Sequence, residues 1–275
     1  MKYIYIIVIV FFQKNLFSQK YIKPLFDFKS QESIFQISVN KQANLNRMLR
    51  YYALTGYREG VNPVSGIFGL NYDASQDEKL GTLRLYMYNL TLAEMLTHGF
   101  VKKDRIILDV KDPSKYLYIP KYGSMKIWMR NNAHCFELMQ PNGVLDGTSL
   151  NIILSDIFGV EFGMEKRKVK AMILARTSKK ELFKSSGVGK NIQTSKGRLK
   201  NVTFQSLIDS VGYIGMPFID ESNYNGLIDI DLKIMNWRDI NLIKKKLKKY
   251  DLELREDMRE LDMFVIKEKE ENNED

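Results

Sequence analysis

Two periodicities alternate along this chain. In "LRLYMYNLTLAEML", Leu83, Leu85 and Met87 recur at every second position, then Leu92, Met95 and Leu96 follow at helical spacing. The pattern predicts a strand running directly into a helix. Thr91 stands at the N-cap, and Glu94, three residues on, completes a capping box. Gly99, free to take positive φ, ends the helix. "RIILDV" and "KYLYIP" read as the strands that follow.

The same order returns in "GTSLNIILSDIFGVEFGMEK". Thr148 or Ser149 is the expected cap, Leu150, Ile153, Leu154 and Ile157 form the apolar stripe, and Gly159 stops it. "VEFGME" alternates and "VKAMILA" reads as a buried strand. A third copy, "NVTFQSLIDSVGYI", repeats the Asn-apolar-Thr of Asn89 to Thr91 at Asn201 to Thr203. After it, Ile228, Ile230, Leu232 and Ile234 alternate with Asp229, Asp231 and Lys233, a half-buried strand. In a fourth copy, Ile240, Ile243 and Leu247 share a helix face, and "LELRE" and "LDMFVIK" are expected to pair as a hairpin across Glu256-Asp257.

The fold class expected is α+β: repeated small strand-helix-hairpin units packing helices against short mixed or antiparallel sheets. The first unit covers 81–140, the second 141–196, the third and fourth 197–270, and an acidic tail covers 271–275. One unit is too small to bury its own faces, so neighbours must supply the missing core. Residues 20–80 form an N-terminal region. There "SIFQISV" reads as a strand, "ANLNRMLRYYAL" (43–54) as a helix through Leu45, Met48, Leu49 and Tyr52, and "GVNPVSG" and "NYDASQDEKLG" as loops.

Composition changes the picture at three points. The opening "MKYIYIIVIVFFQKNLFSQ" has a lysine, then an apolar run of secretory length, and reads as a signal peptide over 1–19. An uncleaved anchor and a first strand are the other readings of that run. The expected location is exported, periplasmic or extracellular, with no stable transmembrane span once the signal is removed. Net charge is +9, which raises nucleic acid or an anionic membrane as partners. The basic residues of "EKRKVK", "TSKKELFK" and "SKGRLK" are strung out between apolar and loop residues, so they read as solvated surface, and nucleic acid is not an expected partner.

The candidate chemistry is sparse. Cys135 is the single cysteine, so no internal disulfide can form, and with His98 and His134 the only histidines a Cys/His zinc cluster cannot be assembled. Cys135 adjoins His134, but neighbours in a strand point to opposite faces, so the pair is not by itself a nucleophile and its base. Asp220, Asp229 and Asp231 are a candidate carboxylate cluster or calcium site; alternation explains Asp229 and Asp231 equally well as the wet face of a sheet, and a turn explains Asp220. Asn89-Leu-Thr91 and Asn201-Val-Thr203 have the form of glycosylation sequons, which helix capping by the threonines explains more simply. Tyr86 and Tyr88 share a strand face and would suit a base-stacking platform, a role that export opposes. No catalytic, cofactor-binding or metal residue is assigned, and no cofactor is expected.

From Leu150 to Ile266 the chain resembles the bacterial domain-of-unknown-function family 3738. The residues that carry the resemblance are "IILSDIFGVEFGMEKRKVKAMILA", "GRLKNVTFQSLIDSV", "PFIDESNYNGLIDIDL" and "YDLELREDMRELDMFVIK", in the family's order and spacing. Asn223 stands where the family commonly has Gly, and Asn also tolerates the left-handed backbone. The recurring helix and hairpin are similar to the short N-terminal docking modules of secretins and TonB-dependent receptors. The resemblance implies an exported envelope protein and brings no catalytic residue with it. The expected function is therefore non-enzymatic binding of another envelope protein or a cell-surface ligand. Two alternatives stay open: an envelope enzyme using Cys135 or the Asp220, Asp229 and Asp231 carboxylates, and an accessory or sensor domain for an envelope redox or protease system.

Overall fold

The computed structural model describes residues 50–61, 70–79, 81–143 and 147–269. The expected signal peptide, the strand at 33–39, the start of the helix at 43–54, most of the loop at 60–66 and the acidic tail lie outside the described residues.

The fold is α+β, with three sheets and five helices among the described residues. The first sheet has the order β1-β5-β3-β2, built from β1 (Tyr51–Gly56), β2 (Tyr72–Asp77), β3 (Thr82–Leu90) and β5 (His134–Pro141), all antiparallel. Helices α1 (Leu92–Thr97) and α3 (Gly147–Phe158) cover one face. A further helix, α2 (Met125–Asn132), stands between β4 (Ile106–Asp109) and β5. The second sheet, β10-β8-β7, combines β7 (Ile192–Gln193), β8 (Arg198–Val202) and β10 (Ile228–Asp231), with α4 (Phe204–Val211) and α5 (Ile240–Leu247) beside it.

The third sheet joins these two lobes. Strands β6 (Val160–Arg176) and β11 (Leu252–Glu268) are each 17 residues long and pair antiparallel from end to end, Val160 opposite Glu268 and Arg176 opposite Leu252. Each carries one short parallel neighbour: β9 (Phe218–Asp220) along Met172–Leu174 of β6, and β4 along Phe264–Lys267 of β11. Apart from α2, which has no counterpart, the order β3-α1-β4-β5-α3-β6 is matched along the chain and in pairing by β8-α4-β9-β10-α5-β11. The long strands pass from one core to the other. Val160 of β6 lies in the first core and its Met172 and Leu174 in the second; Leu252 and Leu254 of β11 lie in the second and its Phe264 and Ile266 in the first.

Several local expectations hold. Thr91 Oγ1 accepts the Glu94 N–H at 3.1 Å and the Glu94 carboxylate accepts the Thr91 N–H at 2.9 Å, the capping box in full. Others are corrected. Tyr51–Leu54 is strand and not helix, because its alternating residues find a ladder partner in β5. "NYDASQDEKLG" contains strand β2, a polar edge strand held by its backbone pairing to β3 and invisible to hydrophobic periodicity. "KYLYIP" runs from the last residue of one 3₁₀ turn to the first of the next, each turn begun by a proline, with irregular chain between and no strand. Helix α3 starts at Gly147, so Thr148 and Ser149 sit inside its first turn and not at its cap. The hairpin at Glu256-Asp257 does not exist. Asp257 suits a turn, but β6 offers an unbroken partner from Val160 to Arg176, so the chain runs straight through as β11.

Candidate functional site

The two Asn-apolar-Thr stretches make the same junction. Asn89 and Asn201 both lie in the left-handed region, at φ 51° and 57°, and at each the pairing register shifts, in β3 against β5 and in β8 against β10. The asparagine is a β-bulge, the next residue turns back into the core, and the threonine starts the helix. Asparagine suits the bulge because its short amide tolerates positive φ and bonds locally. Asn89 closes a two-bond ring with the Arg58 backbone, accepting its N–H at 2.8 Å and donating to its C=O at 2.7 Å. Asn201 donates to the Gly189 carbonyl and to Asn191 Oδ1. Thr203 occupies the cap position of α4 without a side-chain bond: the Ser206 N–H donates to the Thr203 carbonyl at 3.0 Å, and serine at 206 cannot supply the returning half of a capping box.

The bulges also account for two of the candidate reactive groups. Bulging turns the asparagine N–H away from the ladder. Cys135 Sγ accepts that of Asn89 at 3.3 Å, and Asp229 Oδ1 accepts that of Asn201 at 2.8 Å. Cys135 and Asp229 occupy matching places, one residue into β5 and β10. Cys135 is 2% exposed and burial pushes its thiol above the ordinary value. His134 points to the other face of β5, where its ring meets Phe158 edge-on at 5.2 Å. His98 lies on α1's C-cap, with Nε2 3.1 Å from Asn151 Oδ1. Burial lowers both imidazole pKa values.

The remaining aspartates are spoken for by turns. Asp220 Oδ1 accepts the Ser222 N–H at 2.8 Å and Asp231 Oδ1 the Lys233 N–H at 3.1 Å. Asp229 and Asp231 line a concavity of about 330 Å³ with Arg198, Lys200 and Tyr250, and Lys200 and Arg198 stand opposite the two aspartates on β8. Among the described residues no group of three His, Cys, Asp or Glu side chains is placed to hold a metal. A second concavity, about 280 Å³, opens between Lys102, Asp104, Asp209 and Tyr213 over Ile208 and Phe218.

Periodicity gave no hint of the polar side of the first sheet. Arg84 and Glu137 are paired there at 2.6 Å, Tyr88 Oη accepts from Arg84 at 2.9 Å, and the guanidinium lies 4.4 Å over the Tyr86 ring. Burial raises the Tyr88 hydroxyl to about 12. Tyr86 and Tyr88 are therefore walls of a buried ion pair, 9% and 2% exposed, and not an open stacking platform.

The ribbon of β6 and β11 presents two outer backbone edges. On β6 the outward-bonding residues are the even-numbered ones: Val160 C=O accepts from Ser155 Oγ, Met172 N–H donates to Pro217, and Leu174 C=O accepts from Glu221. Between them Phe162, Met164, Lys166, Lys168 and Lys170 share that direction, and no strand lies beside them among the described residues. The β11 edge differs. At its middle, Asp257 Oδ1 accepts the Met258 N–H and Arg259 donates to the Met258 C=O, both at 2.8 Å. Arg259 is held in place by Glu221 at 2.6 Å. At Met258 the β11 edge is closed by its own side chains, whereas among the described residues no strand occupies the β6 edge from Phe162 to Lys170.

Among the described residues no helix is long and apolar enough to cross a membrane. Comparison with protein-family models, with curated proteins and with solved structures finds no match to this chain.

Proposed function

We propose that this chain is an exported, non-enzymatic binding protein of the bacterial cell envelope, related to the family it resembles, and that it takes an extended segment of another protein as an added strand. The observation that carries the reading is the β6 edge from Phe162 to Lys170, unpaired among the described residues, a row of backbone donors and acceptors beside the exposed side chains of Met164, Lys166, Lys168 and Lys170. Such edges recruit strands through main-chain hydrogen bonds. The groups that would support an enzyme are otherwise engaged: Cys135 and Asp229 accept bulge N–H groups, and Asp220 and Asp231 close turns.

The test is site-specific photocrosslinking in the native envelope. A benzophenone side chain at position 166 or 168 is expected to capture a specific partner, while one at position 126, on α2, captures none. Equal capture from both positions, or turnover of a hydrolase substrate panel that Cys135→Ser abolishes, overturns the reading.

A further inference from the structure

We infer that the segment received by β6 is acidic at alternate positions, an inference that rests on the strand-addition reading and deepens it. The side chains of Lys166, Lys168 and Lys170 project from one face of the ribbon and all three residues are exposed. On the inner side this lysine row is already flanked by acid, because Lys168 stands opposite Glu260 and Lys166 opposite Asp262 on β11, and Lys170 reaches Glu256 at 3.2 Å. A strand added on the outer side places its own residues beside the same lysines. Acidic residues at every second position would continue the alternation of sign across three strands. Basic ones would set like charges directly opposite. The same lysines oppose pairing of this edge with the β6 edge of a second copy, the usual use of lysine on an edge strand. The residues between them serve the opposite face. There Arg167 is paired with Glu165 at 2.7 Å, and Val169 is half-buried, so this face offers apolar contact and no free row of charge.

The measurement is fluorescence anisotropy with four labelled octapeptides and the full chain. The first alternates threonine with glutamate, the second threonine with lysine, and the third threonine with serine. The fourth is the glutamate peptide with alternate backbone nitrogens methylated. The glutamate peptide is expected to bind about tenfold more tightly than the serine peptide at 50 mM salt, a gap that narrows with added salt. Methylation should abolish binding. K166T/K168T/K170T keeps strand-forming residues and should equalise the glutamate and serine peptides, with unchanged circular dichroism as its folding control. If the serine or lysine peptide binds as well as the glutamate peptide and methylation still abolishes binding, the acidic preference is wrong and strand addition stands. If the methylated peptide binds normally, or if no peptide binds, strand addition at β6 is wrong as well.

Discussion

Replacing the bulge asparagines separates backbone hand from side-chain bonding. An alanine at position 89 must hold the left-handed conformation that asparagine tolerates, at about 1–2 kcal/mol. It also loses both bonds to the Arg58 backbone, each worth about 0.5–1.5 kcal/mol, and leaves the N–H of a residue only 4% exposed without its acceptor. The expected loss for Asn89→Ala is about 3 kcal/mol. Glycine removes the conformational strain but not the lost bonds, and adds about 0.5–1 kcal/mol of unfolded-chain entropy, so Asn89→Gly should cost about 2 kcal/mol. Asn89→Asp keeps an acceptor for the Arg58 N–H and should cost about 1 kcal/mol. Urea unfolding followed by circular dichroism reads all three. Asn201→Ala and Asn201→Gly should rank the same way, since φ there is 57°. An alanine no worse than glycine at both positions refutes the claim that positive φ selects asparagine, and losses below about 0.5 kcal/mol throughout refute the junction's importance.

Three further predictions concern buried groups. His98 and His134 have folded pKa values below the unfolded 6.5, so the unfolded chain binds their protons more readily; the stability they carry is whole above that pH and is lost progressively as pH falls from 6.5 through the folded values. Between pH 7.5 and 5.5, unfolding free energy should fall in the native chain and fall less in His98→Gln/His134→Gln; parallel curves would exclude the imidazoles as the cause. Glu137→Gln removes the carboxylate that compensates the buried charge of Arg84 and should cost about 3–5 kcal/mol, whereas Arg84→Met/Glu137→Leu should cost much less, and equal losses in urea titration would contradict this account of the pair. Native Cys135 should react with a thiol reagent more slowly than free cysteine and become fully reactive in denaturant; rapid native labelling would mean that the thiol is neither buried nor held by Asn89.

Legibility in the sequence followed the range of the interaction. The cap at Thr91 and Glu94 involves neighbours in sequence, and it was readable. So was the burial alternation from Ile228 to Ile234. Strand β2 was not, because an exposed edge strand has no buried side to mark its period. The passage of β11 through Glu256-Asp257 was not, because its partner β6 lies about eighty residues away and decides against the turn. At the candidate site, the strand alternation of His134 and Cys135 was readable, and so was the turn role of Asp220. What Cys135 and Asp229 do was hidden, since it depends on bulges whose donors, Asn89 and Asn201, lie on other strands. The open β6 edge was equally hidden, being defined by where β9 stops.

The crossing of the two long strands has a consequence for how this chain is made. Phe264 and Ile266, which help wall the first core, come about a hundred residues after the rest of it, so that core stays unfinished until β11 has been made. Cutting between the lobes would open both interiors at once, and neither half should survive as an independent folding unit.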